Sequence, residues 1–583
     1  MAHLGRLVPG VLLVSSYRRE WLVKDLVAGV VLTTLLVPQG MAYATLSGLP
    51  PVTGLYTSIL CLLGYAVFGP SRILVLGPDS SLGPMIAATV LPLVAAGGDP
   101  GRAVALASTL SLMVGTITVL ASVGRLGFVA DLLSRPTMIG YMNGLALTIL
   151  VGQLPKLFGF SVDSEDLIGD LLGFIRGVAA GDVVPAAAAV GLTGTAVVLV
   201  LHRWLPKVPA VLVMVVGAIA ATTLFDLTHH DVDFVGVLPQ GLPPLTVPHV
   251  GTDDLLPLLA GALGIAVVSL ADTISTASAF GARTGQEING NREMVGIGAA
   301  DLAAGLFQGF PVSTSGSRTA VAEQSGAKTQ LTGVVGAVLI VLMIALVPGL
   351  FRNLPQPALA AVVITASLSL ADLSGTVRLW HQRRTEFTVS LTAFLGVALL
   401  GVLPGLALAV GISILNVFRR AWWPYDTVLG RADGIEGYHD VRSYPRSRQV
   451  AGLVIYRFDA PLFFANARTF RGEVRRLAKS EPTPRCIVIA AEPVTDVDTT
   501  AYSMLLELDE DLAHRGISLV FAELKDPVRR KIDGYDVTGP FGPSRFFPTI
   551  ESAVGAYRAQ TGVDWTADDR ADESLARSPD SEG

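Results

Sequence analysis

Between residues 25 and 418 long apolar runs alternate with short polar joints, and most runs approach the roughly 20 residues that a helix needs to cross a bilayer. The runs fall at 25–46, 52–69, 79–96, 101–123, 131–152, 183–201 and 208–225, then at 255–280, 292–309, 316–326, 330–349, 355–371, 386–402 and 404–419. They form two sets of seven, with the third of each set too short or too interrupted to span. In the second set the interruption is Phe310-Pro-Val-Ser-Thr-Ser-Gly-Ser-Arg-Thr-Ala-Val-Ala-Glu-Gln-Ser-Gly326. It predicts extended residues and a hydroxyl cluster, then a brief helix opening near Gly316. Arg72-Ile-Leu-Val-Leu-Gly-Pro-Asp-Ser-Ser-Leu-Gly-Pro84 has the same plan in the first set. A half-helix at membrane depth aims free N–H groups and a positive dipole end inward, and such backbone is tolerated only where it lines a cavity. Paired breaks in two halves point to a transporter's binding site, and facing helix N-termini favour an anion.

Seven is odd, so the second set enters the membrane with opposite polarity, as an inverted repeat. Basic residues agree. With the N-terminus inside, Arg18, Arg19, Lys24, Arg72, Arg283, Arg292, Lys328, Arg383, Arg384, Arg419 and Arg420 fall on the cytoplasmic side, whereas Arg102, Lys156, Arg176 and Arg352 fall outside. The loop 226–254 has no Lys or Arg. The N-terminus shows no signal-peptide pattern.

Composition supports this reading: of 583 residues 51% are hydrophobic and 15% charged. Charges become frequent after Trp422-Trp423-Pro424, where strand-like Leu453-Val-Ile-Tyr-Arg-Phe, Cys486-Ile-Val-Ile-Ala and Ile517-Ser-Leu-Val-Phe-Ala alternate with helical spacing over 465–478 and 500–515. That is a small α/β domain. The expected organisation is a transport domain at 1–424, a linker at 425–449, a soluble domain at 450–560 and a disordered acidic tail at 561–583. Cys61 and Cys486, the two cysteines, give neither a disulfide framework nor a metal motif.

Pro38-Gln-Gly-Met-Ala-Tyr-Ala-Thr-Leu-Ser-Gly-Leu-Pro-Pro-Val-Thr-Gly-Leu-Tyr56 resembles the signature of the SulP anion transporters, also called solute carrier family 26. The two broken segments resemble that family's third and tenth helices, including the Ser317-Arg318 pair, and Ile288-Asn-Gly-Asn-Arg-Glu-Met294 resembles the loop between its eighth and ninth. The soluble part resembles a STAS domain, with Asp496-Val-Asp-Thr-Thr-Ala501 at its Asp-Ser/Thr-Gly-type motif. The resemblance implies a polytopic α-helical fold of fourteen segments in a seven-plus-seven inverted repeat with core and gate bundles. It also implies a homodimer and an elevator-like movement of the core.

Ser80, Ser81, Ser315, Gly316 and Ser317, with Ser313 and Thr314, offer hydroxyl and N–H donors to an oxyanion, although membrane hydroxyls also satisfy local carbonyls. Arg318 is a full charge at membrane depth, reading either as positive potential at the site or as an ion pair with Glu323 or a neighbouring Asp. Gln39 and Tyr43 lie one turn apart on the first span, and the resemblance places both in the anion pocket. Asp272 and Thr276 offer coupling to a proton or sodium ion, against an ion pair with Arg318. Asp79, where relatives carry an apolar or aromatic side chain, reads as a helix cap or as a coupling acid. Asp301 and Asn143 suggest interhelical hydrogen bonds. Asp498, Thr499 and Thr500 read as an N-cap opening a helix, or as the regulatory site of bacterial STAS proteins.

The expected function is secondary active transport of a small inorganic or carboxylate anion, sulfate before bicarbonate before dicarboxylate, with proton symport preferred over sodium symport or exchange. A nucleobase carrier of the same fold is the alternative, and residues 450–557 argue against it. A channel would not need a buried coupling carboxylate. A fused carbonic anhydrase would need zinc ligands, and Cys486, His439 and His514 lack the spacing. No catalytic residue, resident cofactor, metal or nucleic-acid partner is expected, and both termini are placed in the cytoplasm of a cell-membrane protein.

Overall fold

The computed structural model describes residues 8–10, 16–94, 98–127, 134–162, 164, 166–205, 208–432, 434–535 and 541–563. Most of the expected acidic tail lies outside them. The chain divides into two compact units, Met1–Ser413 and Ile414–Gly583.

In the first unit α1 (Leu22–Leu46) and α2 (Pro51–Phe68) lead to a two-residue strand, β1 (Leu76–Gly77), and the short α3 (Gly83–Val90). Then follow α4 (Pro100–Val123), α5 (Arg135–Leu157), α6 (Leu167–Ala180), α7 (Pro185–Trp204) and α8 (Ala210–Phe225). The second half runs α9 (Thr252–Thr284), α10 (Gly290–Leu306), β2 (Ser313–Thr314), α11 (Gly316–Gln324), α12 (Leu331–Leu346), α13 (Gln356–Leu370), α14 (Leu373–Gln382), α15 (Arg384–Leu400) and α16 (Val402–Trp422). Each of the fourteen apolar runs contains a helix. Among the described residues eight helices are long and apolar enough to cross a membrane, so this is a multi-pass membrane protein. The starts follow local chemistry: Pro51, Pro100 and Pro185 open helices where a missing N–H costs nothing, and Asp99 and Asn289 accept from backbone N–H groups one turn in.

Two helices escaped the hydropathy pattern. α6, 14 residues long with Asp170 and Arg176, and α14, ten residues long with Arg378, are short and amphipathic, so neither resembles a span. The chain near Asp79 also differs from expectation. The helix there begins at Gly83 and its N-cap is Leu82, so Asp79 is not the side-chain cap.

Packing sorts the helices into two groups. α1, α2, α4, α9, α10 and α12 pack on one another, and α5 packs on α13 and α15 while α7 packs on α8 and α13. The first group relies on glycine at its closest crossings. A Cβ on Gly54 would lie 1.9 Å from the Gly40 carbonyl oxygen, so α1 and α2 touch backbone to backbone. In the second group a Cβ on Gly140 would lie 1.9 Å from the Ser390 carbonyl oxygen.

The second unit is a six-stranded mixed sheet, ordered β4-β3-β5-β6-β7-β8, with β3 (Asp426–Gly430), β4 (His439–Asp440), β5 (Leu453–Phe458), β6 (Cys486–Ala490), β7 (Ser518–Ala522) and β8 (Phe546–Phe547). β5 to β8 are parallel, and β3 pairs antiparallel with both β4 and β5. The stretch expected as linker thus supplies the antiparallel edge of the sheet, because Thr427 and Leu429 alternate inward over only five residues. α17 (Ala467–Leu477) and α18 (Thr499–Ala513) bury one face, and α20 (Ile550–Thr561), which follows α19 (Asp526–Tyr535), buries the other. Covered on both faces, β6 is buried along its whole length, as its unbroken apolar run anticipated. Asp498 caps α18: Oδ1 accepts from Ala501 N at 2.7 Å and Oδ2 from Phe464 N at 2.8 Å, while Thr499 and Thr500 stay exposed. Cys61 and Cys486 are both free and buried.

Two stability predictions follow from these contacts. Gly54→Val drives a side chain into the α1–α2 crossing and lowers stability by about 3 kcal/mol or more, seen as a lower thermal midpoint and a poorer gel-filtration profile. Asp498→Ala removes one cap and costs about 1 kcal/mol, whereas Asp498→Asn retains most of it; hydrogen exchange at the start of α18 distinguishes them.

Candidate functional site

The two chain breaks meet. β1 and β2 pair antiparallel, Leu76 opposite Thr314 and Gly77 opposite Ser313. The ladder continues past both strands: Ser315 N donates to the Val75 carbonyl at 3.1 Å, and Val75 N to Thr319 Oγ1 at 3.1 Å. Backbone that would be unsatisfied in lipid is thereby satisfied by the other break. Neighbouring helices secure the crossing. Ser269 on α9 donates to the Val312 carbonyl at 2.9 Å, Thr314 donates to Thr273 at 2.8 Å, and Asp301 on α10 accepts from Val312 N at 2.8 Å. Asp301 therefore braces the approach to β2 rather than a partner helix.

From this crossing α11 begins at Gly316, with Ser315 as N-cap accepting from Arg318 N at 3.4 Å and its hydroxyl 3.1 Å from Ser317 Oγ. Gly316 and Ser317 are exposed although the residues on either side are buried. A Cβ on Gly316 would stand 4.0 Å from Thr276, which brings α9 to the same spot. From the other half, the turn before α3 delivers Asp79, Ser80 and Ser81. Tyr43 on α1 bonds to Ser80 through its hydroxyl and lies near Asp79 and Arg318. Gln39, one turn earlier, is partly exposed.

Arg318 is 1% exposed, and among the described residues none of its three guanidinium nitrogens has a hydrogen-bond partner. Its Nη2 lies 3.7 Å from Asp79 Oδ2, an ion pair without a hydrogen bond. The guanidinium is tucked beneath β1, where a Cβ on Gly77 would lie 3.0 Å from Nη1. The neighbouring-Asp alternative thus holds, with Asp79 as the partner, and Glu323 pairs instead with Arg283 at 3.4 Å. Asp272 makes no ion pair with Arg318 among the described residues. Ser81 Oγ stands between two carboxylates, 2.8 Å from Asp79 Oδ1 and 3.2 Å from Asp272 Oδ2. Asp79 also holds Ser81 N at 3.0 Å, closing a turn on itself.

A model of the sulfate permease family matches residues 22–393, and a model of the STAS domain matches residues 444–553. The chain belongs to the sulfate permease family. A probable sulfate transporter of Mycobacterium tuberculosis is 40% identical over 551 residues, covering 94% of this chain and 98% of that one. The chloroplastic sulfate transporter 4.1 of Arabidopsis thaliana is 30% identical, covering 93% of this chain and 81% of its own. The murine solute carrier 26 family member A9 anion transporter, solved in the inward-facing state, superposes with a TM-score of 0.88 at 22% identity, covering 96% and 95% of the two chains. That likeness shows the transmembrane fold with its STAS domain. The transmembrane domain of a cyanobacterial bicarbonate transporter superposes at 0.59, with 25% identity over 68% of this chain and 99% of that one. Sulfate permease family members are membrane transporters of anions, and this protein is not an enzyme.

Two buried carboxylates outside the crossing drew no attention in the sequence. Asp25 on α1 accepts from Lys328 N at 2.6 Å, Thr329 N at 3.1 Å and Thr329 Oγ1 at 2.7 Å, capping the turn into α12. Glu293 on α10 accepts from Tyr65 at 2.6 Å and Ser71 at 2.5 Å. Both sit at the ends of apolar runs, where a charge ordinarily faces water. Asn143 on α5 behaves as expected, accepting from Asp372 N at 2.7 Å and donating to Thr376 at 2.8 Å.

Asp79→Asn leaves Arg318 buried without a counter-charge, and stability in anion-free buffer falls by about 3–5 kcal/mol. Adding sulfate restores more of the thermal midpoint to this variant than it adds to the wild type; equal shifts would show that Arg318 does not face the ligand.

Proposed function

We propose that the protein carries sulfate across the membrane as a proton symporter, with the anion held at the β1–β2 crossing. Gly316, Ser317 and the N-terminal N–H groups of α11 bind it from one half, and Ser80 and Ser81 from the other. Gln39 and Tyr43 close the pocket. The observation that carries this reading is Arg318, a buried cation whose three donor-bearing nitrogens have no hydrogen-bond acceptor among the described residues. A buried guanidinium left so is costly, and an anion bound at the crossing offsets its charge through space.

The coupling follows from proton counting around Ser81. One hydroxyl proton cannot serve both flanking carboxylates. Ser81 Oγ is closer to Asp79, at 2.8 Å, than to Asp272, at 3.2 Å, so we give its proton to Asp79 and assign the coupling proton to Asp272. An entering anion competes with Asp79 for Arg318, and a proton on Asp79 removes the repulsion. Two acids linked by a hydroxyl let the proton enter with the anion. Sodium coupling is the second reading: Ser269 and Thr273 are oriented by their bonds with Val312 and Thr314 but keep lone pairs, and Thr276 adds a third hydroxyl on the helix that carries Asp272. Names of the sulfate-transporting relatives favour sulfate, and the bicarbonate transporter's fold keeps bicarbonate as the second substrate to test. We further assign a homodimer, cytoplasmic termini and an elevator movement in which the group built on α1, α2, α9, α10 and α12 slides along the other.

Proteoliposomes loaded at pH 7.5 and diluted to pH 6 are expected to accumulate labelled sulfate, and uptake without any response to a proton gradient would end the symport reading. Ser317→Leu is expected to lower sulfate affinity at least tenfold, about 1.4 kcal/mol, with folding intact. Asp272→Asn should bind sulfate yet lose gradient-driven accumulation; accumulation at the wild-type rate would remove Asp272 from coupling.

A further inference from the structure

The first unit holds a cavity of about 810 Å³, walled by the α2–β1 loop, the α9–α10 loop, the α11–α12 loop and the lead-in to α1. None of the proposed anion-binding residues lines it. Four cations do: Arg72, Arg283, Arg292 and Lys328. Its one lining acid, Glu323, is held by Arg283 at 3.4 Å. Arg72, Arg292 and Lys328 make no ion pair among the described residues, and all three are exposed.

Like charges brought together raise the energy of the fold unless something gains from them. The loops that carry them are held in place by buried acceptors that do not line the cavity. Glu293, 1% exposed, adjoins Arg292 and grips Ser71, the neighbour of Arg72. Asp25, fully buried, accepts from the backbone N–H of Lys328 and Thr329. Gln286 straps two of the loops together, donating to the Pro70 carbonyl at 2.9 Å and accepting from Arg72 N at 3.4 Å. Two buried carboxylates and an amide therefore preorganise three cation-bearing loops around one space.

We infer that this cavity is a second anion site, distinct from the transport site, which takes a phosphate-bearing group too large for the crossing. Its volume is that of a small-molecule pocket rather than of one inorganic oxyanion. The geometry favours the headgroup of an anionic phospholipid. Trp21 forms part of the wall, and directly after it Leu22, Val23, Leu26 and Val27 present exposed apolar side chains along α1, a path for an acyl chain leaving the cavity. Basic pockets beside transmembrane helices recognise such headgroups. A soluble phosphate would use the same cations, and the experiment separates the two.

The full chain is placed in nanodiscs of phosphatidylcholine, alone or mixed with phosphatidylglycerol, and its apparent thermal midpoint is followed. Phosphatidylglycerol is expected to raise the wild-type midpoint by about 3 °C. The rise should be mostly lost in Arg72→Gln/Lys328→Gln, kept in Arg72→Lys/Arg292→Lys, and kept when Arg203→Gln/Arg378→Gln removes basic residues elsewhere. If inorganic phosphate added to phosphatidylcholine discs reproduces the rise in the wild type and not in the pocket variant, the site stands and its source is soluble. Equal shifts in wild type and pocket variant, or no shift with either probe, overturn the inference. Should the double variant not fold, native mass spectrometry of Lys328→Gln counts phosphatidylglycerol retained per chain; one fewer supports the site and an unchanged count overturns it.

Discussion

Hydrogen-bonding groups of the main chain have no water to turn to inside a bilayer, and two interrupted segments raise that problem twice. Here each interruption answers the other. Leu76 and Gly77 pair with Ser313 and Thr314, and Val75 extends the pairing on both its polar groups. Everything at the crossing is placed by this short ladder: the start of α11, the hydroxyls before α3, and the glycine at position 77 that leaves space for the Arg318 guanidinium. The surrounding side chains are the price of irregular backbone in lipid. Asp301, Ser269 and Thr273 each bind a residue of the β2 segment and are thereby withdrawn from ligand chemistry.

The electrostatics of the site come from unequal partners. Arg318 is buried with no hydrogen bond to its guanidinium among the described residues, and Asp79 at 3.7 Å offsets its charge without meeting its geometry. An acid at the tip of α3 also occupies part of the positive end that an anion would otherwise use. Asp79 is linked through one serine to a second acid, Asp272, and on the proton-symport reading proposed above these three residues would hold the coupling proton.

Much of this was legible from the residues. Pro78 and Pro311 announced the breaks, and the hydroxyls that follow them announced a cavity, because polar side chains at membrane depth require one. β5, β6 and β7 were plain from their apolar runs, and α17 and α18 from their spacing. What escaped had a physical reason each time. α6 and α14 are amphipathic and, at 14 and ten residues, too short to register as spans. β3 is five residues long and sits beside a loop, so its alternation was too brief to outweigh the turn signals around it. The partner of Arg318 was undetermined because Asp79 is 239 positions away and nothing local distinguishes it from Glu323 or Asp272. Asp25 and Glu293 were overlooked since a charge at the end of an apolar run normally meets the interface, whereas these turn inward to serve loops from the opposite half of the chain.

The ladder has a consequence for how the protein is made. β1 emerges from the ribosome more than two hundred residues before β2 exists. At roughly 5–20 residues per second, the first half waits tens of seconds in the membrane with its interruption unmatched. During that interval Leu76 and Gly77 must stay near the interface, or be sheltered by the insertion machinery, until the second half arrives. Assembly in the bilayer is therefore post-insertional for the very part that matters most, and each half serves as the other's chaperone.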